Sequence, residues 1–554
     1  MKHLVSACVV GLLSTPVLSE ERPNVLLIVA DDLGFSDLGV TGAAIQTPII
    51  DGLASEGVLF TEFHAAPNCS PSRGAMLTGV SSHKAGMGGN DGAIADNQNG
   101  LPAYRGHLGE NVVTIGEVLR DAGYHTSMAG KWHLGHDERN LPSGRGFEKS
   151  FALINGAASH WADQIPIIPG SETTYMENDV VVETLPSDFY SSAYYTDKVI
   201  GFVDEAVASQ KPFFTFLSFT APHNPLHAPD ANIQMYKGQF DAGWDQLSSK
   251  RLQRQKELGL IANGIPESER PSWVSSWASL TEDQKAHRAR DMEIYAGMIT
   301  FMDHSIGRLL THLKKTGQYD NTLILFLSDN GPSKTSILDY ASLGSEAAEF
   351  VDSFDNSLEN KGRPGSSTDI GPGWAYASAT PLRLFKGYVS QGGIRVPAII
   401  KAPNQKLDVS KKTDVPVHIM DVMPTILDFT GASYPGASAV QGVSELQGRS
   451  LHTLLTIGDD DGFSARPMAW EAYGMDALRQ GDWKILRLPQ PYGNGTWQLY
   501  NVSQDPGETI DLAAKFPNQV EELSRHWQRY AAENGVVHPD GRLFYAADPG
   551  VGKF

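Results

Sequence analysis

The chain is short of cysteine, has no basic tract and lacks long apolar runs, and each shortage removes a class of function. Only two cysteines occur among 554 residues, which excludes a disulfide-stapled scaffold and a cysteine-rich zinc module. The formal net charge is −20 and no cluster of Lys and Arg interrupts it, so nucleic acid is not a partner, because phosphate binding needs such clusters. Beyond the N-terminus no segment reaches the roughly 18 to 20 apolar residues of a membrane span. What remains, with 41% apolar and 19% charged residues, is an ordinary globular composition. Its length allows a large core with a second unit attached.

Residues 1–19 read as a signal peptide: Lys2 and His3 precede an apolar run from Leu4 to Leu13, and Val17-Leu18-Ser19 offers a cleavage site. This predicts export, to a periplasm or the external medium. Removal of the leader takes Cys8 with it and leaves Cys69 without an intramolecular partner. An exported protein with one unpaired cysteine asks for a chemical explanation.

Continuous apolar runs at Asn24 to Ala30, Val58 to Phe63, Phe213 to Phe219 and Thr322 to Leu327 predict strands buried on both faces of a parallel sheet. His125 to Ala129 is a further brief strand. Helical patterns over Thr47 to Gly57, Asn111 to Gly123, Tyr194 to Gln210 and Asp291 to Lys315 alternate with them. The expected fold class is α/β, with a large mixed, mostly parallel sheet sandwiched by helices. The stretch 230–284 reads as a polar insertion near the sheet rim, and 333–379 as a loop with short helices. Alternating strands past Val440, then a helix from Asn518 to Glu533, predict a smaller C-terminal antiparallel sheet plus helix. The domain reading is therefore 20–439 for the catalytic unit and 440–554 for a C-terminal α/β subdomain.

Polar clusters follow these strands one by one: Asp31 and Asp32, Cys69, Lys131 and His133, His223, and Asp329 with Asn330. Taken singly, each fits a solvated turn or surface loop. Jointly they fall on the carboxyl edge of one sheet, where α/β folds gather ligands. Three carboxylates and an amide oxygen, with no His or Cys pair at zinc spacing, describe an oxygen-lined site for Ca²⁺ or Mg²⁺. Arg73, Lys131 and Lys386 add positive charge, which suits a sulfate or phosphate ester, and two histidines are available for proton transfer. His160, Trp161 and His227 are further candidates for shaping the pocket.

Cys69-Ser70-Pro71-Ser72-Arg73, continuing as Gly74-Ala75-Met76-Leu77-Thr78-Gly79, resembles the signature of the type I sulfatases, whose cysteine is oxidised by a dedicated enzyme to Cα-formylglycine. The blocks Asp31-Asp32-Leu33-Gly34, Gly130-Lys131-Trp132-His133, Ala221-Pro222-His223, Ser328-Asp329-Asn330-Gly331 and Leu384-Phe385-Lys386-Gly387 are similar to that family too, closest to exported bacterial arylsulfatases. The resemblance implies an alkaline-phosphatase-like fold and hydrolysis of small-molecule or oligosaccharide sulfate esters. It implies one Ca²⁺ held by Asp31, Asp32, Asp329 and Asn330 with residue 69, and a formylglycine-generating enzyme as a maturation partner. It further implies that hydrated formylglycine at position 69 attacks sulfur while Asp329 takes its proton. Arg73 would steady the nucleophile, Lys131 and Lys386 would neutralise the sulfate, and His223 would protonate the leaving oxygen. His133 would then deprotonate the second hydroxyl so that sulfate leaves. Two alternatives stay open: a phosphate or phosphonate monoester hydrolase of the same superfamily, and a silent binder of sulfated glycans if Cys69 is unmodified.

Overall fold

The computed structural model describes residues 22–335, 345–404, 411–436, 442–490 and 492–541; the signal-peptide reading of 1–19 lies outside them. The apolar runs become the strands of one sheet: β1 (Asn24–Ala30), β2 (Val58–His64), β3 (His125–Lys131), β4 (Lys149–Leu153), β5 (Tyr175–Glu177), β6 (Val180–Val181), β7 (Phe213–Ser218), β8 (Thr322–Ser328), β9 (Arg395–Lys401), β10 (Lys412–Thr413) and β11 (Val417–His418). Their order is β10-β2-β9-β8-β1-β7-β3-β4-β5-β6, with β11 also on β2. The centre, β8-β1-β7-β3-β4, is parallel, whereas β9 runs antiparallel to both β2 and β8. The sheet is therefore mixed and mostly parallel.

Period-two alternation explains why β1 reads as an unbroken apolar run: every residue is buried, half on each face. Leu26, Ile28 and Ala30 join one core, and Val25, Leu27 and Val29 join the other. Helices Ser191–Ala208 and Glu282–Lys315 cover the first face, while Cys69–Thr78, Ile115–Asp121 and Val422–Thr430 cover the second.

Two expectations change. The long helix begins at Glu282, nine residues before the predicted start, because Thr281 and Gln284 form a reciprocal capping box. Its first turns carry little apolar pattern, so periodicity alone passes over them. The segment 230–284 is no rim decoration: Trp244 and Trp277 pack edge to face at 4.8 Å, and both meet Trp374. Arg251 from the same segment pairs with Asp37 at 2.6 Å beneath the site loops. Within 333–379 the expected short helices form, at Ser345–Asp352 and Gly371–Ala379, and residues 336–344 lie outside the description.

The smaller sheet is antiparallel, β12 (Met468–Ala472), β13 (Met475–Gln480), β14 (Trp483–Arg487) and β15 (Gln498–Asn501), with helix Pro517–Asn534 on one side. Leu523 and Trp527 of that helix pack on Leu478, Ile485 and Leu499. The opposite face, through Trp470, Ala477, Leu486 and Tyr500, joins the main core. Among the described residues no helix is long and apolar enough to cross a membrane.

Candidate active site

Each polar cluster sits where a strand ends on the same sheet edge. Asp31 and Asp32 directly follow β1, Lys131 closes β3 with His133 two residues on, His223 lies five residues past β7, and Asp329 and Asn330 follow β8. Cys69 is the first residue of the helix Cys69–Thr78, and Asn68 at its N-cap makes no side-chain cap. The helix start therefore brings residue 69 and its backbone dipole into the cluster. Lys386 arrives from the segment preceding β9.

The approach is close enough to demand special backbone. Gly130 has φ of +113°, and a Cβ there would stand 1.8 Å from the Ser218 carbonyl oxygen, so only glycine lets β3 meet β7 at this level. Asp32, His133 and Leu384 hold left-handed φ of 62°, 58° and 57°, a strained arrangement of the kind that clusters at functional sites.

Three buried carboxylates meet three buried cations. Lys131 Nζ lies 2.6 Å from Asp31 Oδ2, Lys386 Nζ 2.7 Å from Asp32 Oδ1, and Arg73 Nε 2.9 Å from Asp329 Oδ2. Arg73 also donates through Nη1 to Ser218 Oγ at 2.6 Å and to the Lys131 carbonyl at 3.0 Å, while its Nη2 is buried without a partner. The Asp32 N–H donates to Asp329 Oδ1, and Asn330 Nδ2 donates to Asp32 Oδ1 at 2.7 Å, leaving Asn330 Oδ1 buried and unpartnered. The Cys69 thiol donates to Asp31 Oδ1 at 3.4 Å and faces Asp32 Oδ1 at 3.8 Å. Ligand atoms of Asp31, Asp32, Cys69 and His223 all lie within 4.8 Å of one another, a spacing at which one ion could be held. Asp329 stands beside that group, turned towards Arg73.

Burial and charge set the proton affinities. Burial pushes the Asp31 carboxyl up, but Lys131, then His223 and Arg73, overcome it and hold the group well below the usual carboxylate range. Asp329 moves the other way: burial and the Asp31 charge outweigh Arg73 and push it up to about 6. Burial and Asp31 push the Cys69 thiol far above its ordinary value, so an unmodified thiol stays protonated and is a poor nucleophile. Burial lowers His223 to about 4 against the pull of Asp32, whose Oδ2 lies 3.5 Å from His223 Nε2. Its Nδ1–H donates to the Asn224 carbonyl at 2.5 Å, leaving Nε2 towards the site. Burial, then Lys131 and Arg73, keep His133 well below its ordinary value, with Nδ1 unpartnered.

Cys69, His133, His223 and Lys386 line a cavity of about 250 Å³ that opens outward past Asn90, Asn155 and Ile168. His160 and His227 do not line it. His160 Nε2–H donates to the His223 carbonyl at 3.2 Å, its Nδ1 meets Ser191 Oγ, and His227 donates to the Ser366 carbonyl. They brace the loop that carries His223, and Trp161 is tied to the Gly362 carbonyl. Ser218 and Asn90 are site residues that sequence reasoning passed over. Ser218 ends an apolar strand, and Asn90, whose Oδ1 accepts from the Ser70 N–H at 3.3 Å, sits in an irregular loop, so neither carries a local signal.

The chain matches the sulfatase family model over residues 23–432. It is 40% identical over 557 residues to an uncharacterized sulfatase of Schizosaccharomyces pombe, covering 96% of this chain and 97% of that one. It is 38% identical over 441 residues to the arylsulfatase of Klebsiella aerogenes, covering 78% and 92%. Among solved structures it is similar to Ps i-CgsB in complex with k-i-k-neocarrahexaose, with a TM-score of 0.66 and 25% identity over 94% of this chain and 95% of that one. An edge of carboxylates and cations built round Cys69, together with these likenesses, leads to one conclusion: the chain belongs to the sulfatase family and is a sulfuric ester hydrolase.

Proposed function

We propose that the protein hydrolyses sulfate monoesters in the arylsulfatase manner, with residue 69 converted to Cα-formylglycine, releasing inorganic sulfate and an alcohol or phenol. The observation that carries this reading is the position of Cys69: it forms the cavity floor against Asp31 and Asp32, with a thiol too weakly acidic to react as it stands. When hydrated, the aldehyde supplies two hydroxyls on one carbon, one to accept the sulfuryl group and one whose deprotonation expels it.

The protein's own groups divide the remaining work. Asp329, whose proton affinity is raised by burial beside Asp31, accepts the proton of the attacking hydroxyl. Arg73 steadies that hydroxyl with its unused Nη2 donor. Lys131 and Lys386 neutralise the sulfate oxygens. His223, anchored through Nδ1 on Asn224, delivers a proton from Nε2 to the leaving oxygen, and the negative charge of bound sulfate favours that protonated form. His133, kept neutral by burial and by Lys131, takes the proton of the second hydroxyl.

The donor set fits one hard divalent cation, read here as Ca²⁺, since the carboxylates of Asp31 and Asp32 converge there and Asn330 Oδ1 is buried without a partner. Asp31, Asp32, Asp329 and Asn330 would hold the ion together with residue 69, and it would supply positive charge to the sulfate oxygens. Adding Ca²⁺ to chelator-treated protein is expected to raise Tm, by the equivalent of about 2.7 kcal/mol at a hundredfold excess over Kd, with Mg²⁺ weaker. An unchanged melting curve in millimolar Ca²⁺ would count against the ion.

Export through the 1–19 leader and maturation by a formylglycine-generating enzyme belong to the same reading, supported by the stretch Cys69 to Arg73. The substrate is a small-molecule or oligosaccharide sulfate ester, supported by the oligosaccharide bound to Ps i-CgsB. Two measurements test the proposal. Peptide mass spectrometry of protein from its native host should find residue 69 lighter than cysteine by exchange of sulfur for oxygen and loss of two hydrogens. Matched aryl esters should be cleaved faster as sulfates than as phosphate or phosphonate monoesters. A thiol alone at residue 69 favours the silent binder, and a preference for phosphorus favours the phosphoester hydrolase.

A further inference from the structure

The cavity above residue 69 carries a charge pattern that the chemistry just described does not use. Every cation lining it is engaged. Lys386 is bound to Asp32, and His136 Nε2 lies 3.4 Å from Asp91 Oδ2 at the mouth, where Asp91 raises its proton affinity. His133 and His223 are committed to proton transfer at the reacting ester. A further carboxylate, Glu172, lines the same mouth; it is exposed and has no ion-pair partner among the described residues. A neighbouring part of the lip is apolar, formed by Pro166, Ile167 and Ile168, and Ile168 is 47% exposed.

We propose that Glu172 makes this enzyme selective for monosulfated substrates whose leaving group is uncharged or cationic, with Ile167 and Ile168 taking the apolar face of that group. The inference rests on the sulfate-ester reading and specifies its substrate class. One sulfate is met by Lys386 in the cavity lining, with Lys131 and Arg73 buried behind it. A second sulfate or carboxylate on the same ring enters a cavity of about 250 Å³ facing a carboxylate, with no unengaged lining cation to receive it. The low-dielectric protein around the cavity keeps that repulsion from being fully screened.

Three phenyl sulfates that differ only in a meta group, carboxamide, carboxylate or trimethylammonium, test this on the mature enzyme. The expected kcat/KM ratio of carboxamide to carboxylate is about tenfold at low salt, narrowing to a few-fold in 0.5 M NaCl as the mouth is screened. The trimethylammonium ester should equal or exceed the carboxamide. Glu172→Gln should shrink the carboxamide-to-carboxylate ratio about threefold, and Glu172→Lys should bring it to one or below. Leaving-group acidity is the same in every variant, so the change in ratio reads charge alone. The proposal is overturned if an enzyme that cleaves the carboxamide ester cleaves the carboxylate equally well. It is also overturned if neither Glu172 variant moves the ratio. Failure to cleave any of the three while matching phosphate esters are cleaved overturns the sulfate-ester reading itself.

Discussion

Cys69→Ala is expected to lower kcat for aryl sulfates by at least about 10⁴-fold, the scale on which removing a covalent nucleophile acts, while the protein remains folded. The side chain is 1% exposed, yet its polar contacts are weak thiol contacts at 3.4 Å to Asp31 and 3.8 Å to Asp32. Truncation removes one sulfur atom and strands no buried charge, because Asp31 keeps Lys131 and Asp32 keeps Lys386. The stability cost is then about 1 kcal/mol. The helix that begins at residue 69 is anchored elsewhere, by Ser72 Oγ between the Ala66 N–H and carbonyl and by Ala75, Met76 and Leu77 in the core. Steady-state rates and a melting curve on the same preparation check both halves. An active alanine variant would refute residue 69 as the nucleophile.

Arg73→Ala is expected to act on stability and turnover together. Arg73 is fully buried and reaches Asp329, Ser218 and the Lys131 carbonyl at once. Removing it leaves the Asp329 carboxylate buried without its cation, a change that costs about 3–5 kcal/mol and lowers Tm. Turnover should fall by about 10²- to 10³-fold, as for loss of one preorganised donor to the reacting oxygen. Arg73→Lys should recover part of the stability and little of the rate, since a single ammonium nitrogen cannot span the acceptors that Nε and Nη1 reach separately. Arg73 also belongs to the stretch that resembles the maturation signal, so rates need normalising to the formylglycine content at residue 69. A rate per formylglycine equal to wild type would confine Arg73 to folding and maturation.

How much of this was legible without coordinates differs from element to element. β1 and β8 announce themselves because strands buried on both faces must be apolar throughout, and the carboxylates that end them stand out by contrast. The helix Glu282–Lys315 is legible only in part, since its first turns are set by the Thr281 cap and not by an apolar stripe. The tryptophans of 230–284 look misplaced in charged sequence until Trp374, about a hundred residues on, closes the cluster. His160 and His227 attract notice as histidines near the site, yet both are spent on backbone carbonyls and a serine behind it. Glu172 and the Asp91–His136 pair carry no pattern at all, being exposed residues of irregular loops.

By itself the sequence determined which segments become buried strands and which reactive side chains gather at their carboxyl ends, because burial imposes a local periodicity and residues at a strand's end stay at the sheet edge. Only the tertiary structure decided how those groups are shared. Lys131 goes to Asp31 and Lys386 to Asp32, across 100 and 354 residues, and Asp329 is left with Arg73 and a raised proton affinity. Coulombic and desolvation energies depend on distance and burial in space, and separation along the chain carries neither.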